Sequence, residues 1–337
     1  MIASPTLTAL ADAQAALLAM LAPVAPREVA CADAVGLIAA GSSPLQEASP
    51  PRAVALSEGY AVRSRDLAGA SSFSPAYLPA APQHVRIGDA LPDGCDCVLD
   101  PGAVDLSGAA PQAFAESYPG ENTRRAGEDF AAGAIVVDAG RKINARDALA
   151  ATRAGLAHIA VRTPRVTVSG DAAVARFVSA LARADGAEIA SERADLCIAI
   201  GEAPRSAAWT AQAIALEPGR DCAVGRIGEA PAVSLPAAPD QAFAGYIALV
   251  RPALDRLAAR VRPAPRALPL AAKISSRVGV AELALLREQD GRYTPLCVGD
   301  CPLHALTSAT HVALIDAGSE GLGAGDICAA DPLDDCA

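Results

Sequence analysis

The sequence of 337 residues has little lysine, few aromatic side chains and no long uninterrupted apolar run. Lysine occurs only at Lys142 and Lys273, and 28 basic residues face 38 acidic ones, so the formal net charge is −10. This balance argues against a nucleic-acid backbone or an anionic membrane as the main partner. Because no stretch reaches the roughly 18 apolar residues of a membrane span, the sequence predicts a soluble protein.

The N-terminal stretch does not have the pattern that is typical of an export signal. The apolar N-terminal stretch has no basic region ahead of it, and Asp12 interrupts it, which is not typical of a secretory signal. The nine cysteines are an odd number without the spacing of a disulfide framework. The sequence therefore predicts a reducing, cytoplasmic setting.

Several catalytic signatures are absent as well. The sequence contains no G-x-S-x-G elbow, Walker loop, H-E-x-x-H helix or G-x-G-x-x-G dinucleotide loop. With 52% hydrophobic and 20% charged residues the chain is globular in composition, and its length predicts two to four domains.

The first 160 residues are predicted to form an N-terminal region with an inserted β-rich subdomain. Residues 8–22 form an Ala/Leu helical pattern, and a second short helical stretch is predicted at 31–40. From about 50 to 138, Pro, Gly, Ser and Asp separate short apolar runs, and "GYAV", "DCVL" and "AIVV" are predicted strands. Residues 145–155 are again helical and end in glycine.

Residues 161–262 are predicted to form a parallel α/β domain. The segments "PRVTVSG" and "ADLCIAIG" are predicted strands that end in glycine, and Asp240 is the predicted N-cap of a helix over 240–259. The apolar stripes of the two predicted helices are Val174, Phe177, Val178 and Leu181, and Phe243, Ile247, Val250, Leu254 and Leu257. Residues 263–337 contain strand-length runs without a long helix, which predicts a small C-terminal β domain.

The glycine-bearing strand ends are the first candidate site. In an open parallel sheet, ligands bind beyond the carboxyl ends of the strands, here "SGDA", "IGEAPRS" and "LPAAP", with "EPGRD" before the last strand. The candidate cation ligands are Asp171, Glu202 and Asp221, and the candidate phosphate ligands are Arg205 and Arg220. The alternative is a purely structural edge, because α/β loops are routinely rich in Gly, Pro and Asp.

A second candidate site is "NTRRAGEDF", residues 122–130. It concentrates Arg124, Arg125, Glu128 and Asp129 ahead of an apolar run. The alternative is a solvated turn held by ion pairs.

The cysteines offer a weaker candidate. Cys297, Cys301 and His304 provide three of the four ligands of a zinc site, but the spacing is irregular and the fourth ligand is not evident. Cys95 and Cys97 are too close for the usual zinc spacing. Structural cysteines are therefore the preferred interpretation.

Six segments, taken in chain order, resemble one known family. "SEGYAVRSRDL" is similar to "MDGYAVR..DL", "IGDALPDGCDCVL" to "TGAPLPxGADAVV", and "ENTRRAGEDFAAGAIVVDAGRKI" to "xNVRxxGEDxxxGxxLLxxGxxL". "AGLAHIAVRTPRVTVSGD", "LEPGRDCAVGRIGEAPAVSLPAAP" and the tail "ALIDAGSEGLGAGDICAADPL" follow in the same order. These blocks resemble the molybdopterin molybdenumtransferase family, the MoeA/gephyrin group, over essentially the whole chain, as a divergent member. The GED segment is the most specific.

The resemblance implies a multidomain fold of α/β and β parts. A β-rich N-terminal part would precede a shortened parallel α/β domain that binds molybdopterin, and a small C-terminal β-barrel domain would close the chain. It also implies a homodimer of elongated protomers. The adenylylated pterin would lie on the α/β domain, with molybdate and Mg²⁺ at the cleft facing the partner's β-rich subdomain.

The resemblance also implies roles for individual residues. Catalytic roles fall to Glu58, Glu128 and Asp129, of which Glu58 and Asp129 would also bind the metal. The implied cofactor-binding residues are Asn122, Arg124, Gly170, Asp171, Gly201, Pro218, Gly219, Arg220, Pro236 and Pro239.

The departures from the family pattern concentrate in the α/β part. Glu58 stands where the family has aspartate, Ile87 where it has threonine, and Ala172 where it has the glutamate of "TGDE". "IGEAPRS" replaces a glycine–serine–aspartate motif, "LPAAP" lacks the Gly-Asn of "LPGNP", and a strand–helix excursion is missing before "ADLCIAIG". The β-rich half is therefore the better preserved half.

Two functions remain open on this basis. The first is molybdate insertion into adenylylated molybdopterin at a degenerate site. The second is a non-catalytic paralogue that binds molybdopterin, or a dimeric scaffold for a molybdoenzyme or cofactor-assembly partner. An unrelated sugar- or nucleotide-binding α/β protein would require the six ordered blocks to be accidental.

Overall fold

The computed structural model describes residues 7–202 and 204–333. The helices are α1 Leu10–Leu18, α2 Ala145–Arg153, α3 Ala172–Ala184, α4 Pro239–Gly245, α5 Arg251–Ala258 and α6 Leu303–Ser308. The strands up to residue 200 are β1 Arg27–Ala30, β2 Ile38–Gly41, β3 Val54–Ala55, β4 Gly59–Val62, β5 Ala76–Tyr77, β6 Gln83–Val85, β7 Cys97–Leu99, β8 Val104–Asp105, β9 Gln112–Ala113, β10 Thr123–Arg124, β11 His158–Arg162, β12 Arg165–Gly170, β13 Glu188–Ile189 and β14 Leu196–Ile200. Those that follow are β15 Ala207–Ala211, β16 Leu216–Glu217, β17 Ala223–Ile227, β18 Ala230–Leu235, β19 Arg266–Pro269, β20 Ile274–Ser275, β21 Ala281–Gln289, β22 Arg292–Val298, β23 His311–Ile315, β24 Gly321–Leu322 and β25 Ile327–Pro332. The fold is multidomain and mostly β, with mixed sheets.

The central sheet has the order β13-β12-β14-β18-β17-β15. Strands β13, β12, β14 and β18 are parallel, whereas β17 is antiparallel to β18 and β15 is antiparallel to β17. The predicted parallel sheet is therefore correct for β13, β12, β14 and β18 and wrong for β17 and β15. Only Gly228 and Glu229 separate β17 from β18, and a two-residue connection forms a hairpin and cannot cross over to a parallel strand.

The two predicted apolar stripes pack against this core, although Phe177 and Leu181 on α3 are only half-buried. Val174 and Val178 on α3 are buried, and the stripe from Phe243 to Leu257 is at most 7% exposed. The π-helical segment Tyr246–Val250 joins α4 to α5. The prediction of Asp240 as N-cap is wrong, because Ala238 occupies the N-cap position of α4. Pro239 follows in the first turn, where its missing N–H leaves no hydrogen bond of the helix unmade.

Helix α1 also packs into this core. Ala13, Leu17 and Leu21 are buried in the same cluster as the central sheet, and Thr8 bridges to Ile214. The predicted helix at 8–22 is thus present, in a shorter form.

The sheet β1-β11-β2 carries a second core, together with α2. The helix predicted at 31–40 is wrong, because residues 38–41 form β2, which pairs with β11 after a short 3-10 turn at Cys31–Asp33. Gly36 has a φ of +88°, a conformation that interrupts a right-handed helix.

Small antiparallel sheets fill the inserted region, with the orders β6-β4-β7, β5-β9-β8 and β10-β3. The predicted strands "GYAV" and "DCVL" correspond to β4 and β7. The predicted strand "AIVV" is wrong: the backbone N–H groups of Val136 and Val137 donate to the hydroxyl of Ser42, and Val137 is buried in the core under β2.

The C-terminal sheet has the order β16-β21-β23-β25-β19, with β22 paired to β21. It is built from the predicted strand-length runs and also contains the short helix α6, which was not predicted. Its edge strand β16 comes from the middle of the chain and pairs in parallel with β21. This pairing joins the C-terminal sheet to the segment that leads into "EPGRD". Among the described helices, none is long and apolar enough to cross a membrane.

Candidate functional site

Glu58 lies at the entrance of β4, the central strand of the sheet β6-β4-β7. The next residue, Gly59, is buried, and a Cβ there would approach the carbonyl oxygen of Leu99 to 2.0 Å, so a glycine is required. This close packing holds the first residue of β4 in place and thereby sets the position of Glu58 just before the strand. Its carboxylate is 62% exposed and lies 3.5 Å from Nε2 of His84.

Strand β10 brings Asn122 and Arg124 beside the segment that leads to Glu58. Arg124 pairs with Val54, and the N–H of Leu56 donates to the carbonyl of Asn122 at 2.8 Å. Asn122 adopts a φ of +56°, and its side-chain amide donates to the carbonyl of Val98 at 3.0 Å. The amide of Asn122 therefore also stabilises this turn.

The GED segment is a solvent-accessible turn with its own ion pair. Asp129 lies 3.3 Å from Arg124, and both side chains are about two-fifths exposed. Glu128 accepts a hydrogen bond of 2.8 Å from the backbone N–H of Arg125. The structure thus contains the ion-paired turn of the simpler interpretation and leaves both carboxylates accessible. Glu58, Asn122, Arg124, Glu128 and Asp129 form the first group of predicted site residues.

The second group lies at the carboxyl edge of the central sheet. Gly170 at the end of β12 pairs with Ile200 at the end of β14, which pairs with Leu235 at the end of β18. The N–H of Gly201 donates to the carbonyl of Leu235 at 2.8 Å. The structure therefore brings Gly170, Gly201 and the "LPAAP" loop with Pro236 and Pro239 to one edge, as the sequence predicts.

The turn Pro218–Arg220 reaches the same edge from the opposite direction. Gly219 is buried with a φ of +122°, and a Cβ there would lie 3.5 Å from the carbonyl oxygen of Gln241 in α4. Arg220 is held by Glu217, whose Oε1 lies 3.0 Å from its guanidinium. Its side chain is 48% exposed, so it remains accessible to a ligand.

Arg277 ties this turn to the C-terminal sheet. Its guanidinium lies 2.9 Å from Glu282 and 3.5 Å from Glu217. Burial opposes ionisation of Glu282, but hydrogen bonds and charge from Arg277 outweigh it and lower the pKa of that carboxyl. A cavity of about 420 Å³ opens beside this contact, and its carboxylates are Glu217, Asp240, Glu282 and Asp300.

These contacts were not visible in the sequence. Arg277 and Glu282 reach Glu217 only because β16 pairs with β21, more than 60 positions later in the chain. Likewise, His84 meets Glu58 through the pairing of β4 with β6. No local sequence motif predicts either contact.

Asp171 has a structural function in the fold. Its Oδ1 accepts hydrogen bonds of 3.0 Å from the N–H groups of Ala173 and Val174, so it is the N-cap of α3. The other polar candidates of this edge, Glu202, Arg205 and Asp221, are exposed.

The predicted metal ligands, Glu58 and Asp129, do not belong to a three-ligand cluster in the described part of the chain. Among residues 7–202 and 204–333, no three His, Cys, Asp or Glu side chains are grouped so as to hold a metal ion. The first and second groups of predicted site residues also belong to separate sheets. Glu58 and Asp129 as metal ligands therefore remain a prediction.

The zinc alternative is excluded by a covalent bond. Cys297 and Cys301 form a disulfide, which removes two of its three ligands, and His304 is exposed. This pairing was not predicted from the scattered cysteines. Cys97 is buried in β7, and Cys95 precedes that strand.

The sequence is similar to those of known proteins. The family described as the MoeA N-terminal region, domains I and II, matches residues 8–155. Molybdopterin molybdenumtransferase 2 of Mycobacterium tuberculosis, strains CDC 1551 and H37Rv, is 25% identical over an alignment of 308 positions, covering 70% of this chain and 76% of that protein. The chain is thus similar to MoeA proteins, with a match to the family model over residues 8–155.

Solved structures support the same assignment at the level of the fold. The molybdopterin biosynthesis moeA protein from Pyrococcus horikoshii superimposes with a TM-score of 0.73 at 20% identity, covering 98% of this chain and all of that one. A molybdenum cofactor biosynthesis protein from Pyrococcus furiosus gives 0.62 at 16% identity, covering 96% and 99%. This MoeA-like chain therefore keeps the fold across its whole length, while its sequence has diverged.

Proposed function

We propose that this MoeA-like protein acts in molybdenum cofactor biosynthesis by binding a molybdopterin-type ligand at the carboxyl edge of its central sheet. The observation that carries the proposal is the convergence of Gly170, Gly201, the "LPAAP" loop and the turn Pro218–Arg220 on that edge. Helices α3 and α4 both begin at this edge, directly after β12 and the "LPAAP" loop.

The chemistry of the edge suits a pterin that carries phosphate. Arg220 supplies an accessible guanidinium, the donor that best matches phosphate oxygens. The carboxylates of the adjoining cavity accept hydrogen bonds, and the amino group and ring N–H of a pterin donate them. Both ends of such a ligand would therefore find partners.

We propose further that the insertion step is degenerate. Asp171 caps α3, Asp129 is paired with Arg124, and Ala172 replaces the family's glutamate. A hard cation is held by several oxygen ligands, and the loss of several is difficult to compensate. The degenerate site favours a binding or scaffold role, in which a homodimer presents the ligand to a molybdoenzyme or assembly partner.

An active insertase is the second candidate, and one observation favours it. Glu58 and Asp129 are both accessible carboxylates on the better preserved β-rich part. In a homodimer they would face the pterin edge of the partner copy, and Mg²⁺ bound there would stabilise the charge of the phosphates.

Anaerobic titration calorimetry with molybdopterin tests the binding proposal. We expect Arg220→Ala to weaken binding about tenfold or more, since a charge-assisted contact to phosphate is lost. Arg226→Ala is the matched control, because Arg226 lies on β17 opposite Pro231, at the other end of the sheet. Absence of binding to the unaltered protein, or equal effects of both variants, would refute the proposal.

The release of AMP separates the two candidates. The protein is incubated with adenylylated molybdopterin, molybdate and Mg²⁺, beside an intact family member. The degenerate site predicts no release by this chain. Release that disappears in Asp129→Ala would establish the insertase instead.

A further inference from the structure

A second cavity lies between α3, α4 and α6, on the outer side of the helices. Its volume of about 520 Å³ falls within the roughly 300–1,000 Å³ of typical small-molecule sites. Its wall is mainly apolar, with Phe177, Phe243 and Leu306 among the lining side chains, and Leu303 is 63% exposed at the rim. An apolar molecule could therefore enter from solvent and contact these side chains.

Arg251 brings a positive charge to this wall. It lines the cavity and is only 9% exposed. Within the described part of the chain, its Nε donates to the carboxylate of Asp185 at 3.4 Å. That contact occupies the inner nitrogen of the guanidinium and leaves the two terminal nitrogens as donors. The other polar side chain of the lining, Thr307, donates its hydroxyl to the carbonyl of His304.

The charge of Arg251 is only partly compensated. Asp185 also lies 3.0 Å from Arg260 and 2.8 Å from Arg262, and Arg262 pairs with Asp255 at 2.6 Å as well, so Arg251 shares its carboxylate with two other guanidinium groups. A second anion beside Arg251 would therefore be electrostatically favoured, and burial would strengthen the attraction.

We propose that this cavity binds a small amphiphilic carboxylate, an apolar chain ended by one carboxyl group. The chain would lie between Phe177, Phe243 and Leu306, and the carboxylate would accept hydrogen bonds from the terminal nitrogens of Arg251. The site borders the proposed pterin edge, because Pro239 and the first turn of α3 contribute to both, but its apolar wall lies between the helices. The proposal does not depend on pterin binding.

Titration of the full chain with decanoate, and with decan-1-ol as the uncharged probe of the same chain length, tests the proposal. We expect decanoate to bind more tightly than decan-1-ol. Ala173→Phe, at the exposed first turn of α3, should weaken decanoate binding about tenfold by filling the cavity, without altering the Asp185 contacts. Ala15→Phe, at an exposed position of α1, is the matched control and should leave binding unchanged.

Arg251→Gln addresses the charge. In the folded variant, decanoate affinity should fall to the level of decan-1-ol, while the affinity for decan-1-ol stays the same. Absence of decanoate binding, or equal affinity in Ala173→Phe and the unaltered chain, overturns the proposal. A change of oligomeric state in Ala173→Phe with unchanged decanoate affinity would overturn it in favour of an interface between copies.

Discussion

At the residue scale, the buried carboxylate of Asp185 contacts several cationic side chains of the α/β part. It is 6% exposed and receives Arg251, Arg260, Arg262 and the hydroxyl of Tyr246. Burial opposes its ionisation, but the charges of Arg251 and Arg262 and the hydrogen bond from Tyr246 outweigh this and lower its pKa. Asp185 thus ties the end of α3 to α5 and to the chain that leads into the C-terminal sheet.

Asp185→Asn should therefore strongly destabilise the fold. Replacing Asp185 removes the negative charge beside the buried guanidinium of Arg251, so we expect the free energy of unfolding in urea to fall by roughly 3–5 kcal/mol. Asp93→Asn is the control, because the fully exposed Asp93 lies 3.9 Å from Arg52, and its replacement should leave stability unchanged. Equal stability of the two variants would contradict this function of Asp185.

The same group predicts a pH dependence. The folded-state pKa of Asp185 is below its ordinary value of 3.8, so its stabilisation is complete above that pH and is lost as the pH falls through the folded value. The difference in unfolding free energy between the unaltered chain and Asp185→Asn should stay constant from neutral pH to about pH 4 and shrink below it. A difference that shrinks already between about pH 7 and 5 would contradict the lowered pKa.

At the scale of elements, Asp171 separates a structural from a ligand-binding role. It caps α3 as Asn144 caps α2, where a capping box with Asp147 is complete. Asp171→Asn should retain stability because the amide oxygen still accepts the two N–H groups, whereas Asp171→Ala should lose about 1 kcal/mol. Urea denaturation measures both. If molybdopterin affinity falls in Asp171→Asn while stability is kept, the carboxylate also contacts the ligand.

Elements with a long apolar stripe were predictable because one face of each is buried. Helix α3 carries such a stripe, and so does the continuous helical segment formed by α4, the π-helical turn and α5. The segments 31–40 and 134–137 were not, because their partners lie far along the chain: β11 pairs with β2, and Ser42 accepts the N–H groups of Val136 and Val137. Short apolar runs do not distinguish helix, strand and bend by their period alone.

At the scale of the whole molecule, the sequence placed the strand ends of the central sheet but not the contacts between sheets. Convergence of Gly170, Gly201 and the "LPAAP" loop follows from the rule for parallel strands. The bridge of Arg277 between Glu217 and Glu282 follows from the pairing of β16 with β21, which no local pattern encodes. The first and second groups of site residues lie on separate sheets, and we propose that a homodimer brings them together across copies.

Mixed dimers test that arrangement. Arg124→Ala alters the first group and Arg220→Ala the second, so each variant alone should bind molybdopterin weakly. If each site combines the two groups from different copies, a dimer of one Arg124→Ala chain and one Arg220→Ala chain contains one intact site. We expect isolated mixed dimers, co-expressed with different affinity tags, to bind one tight equivalent of molybdopterin per dimer by calorimetry.

The reciprocal dimer, a doubly substituted chain with an unaltered one, supplies the control. Under the shared-site arrangement each of its sites carries one defect, because the unaltered chain contributes half of each, so tight binding should be lost. If both groups acted within one chain, the outcomes would be reversed: the doubly substituted dimer would keep one tight site and the singly substituted pair none. Light scattering must first show a mass of two chains, since a monomer with full affinity would rule out the shared site.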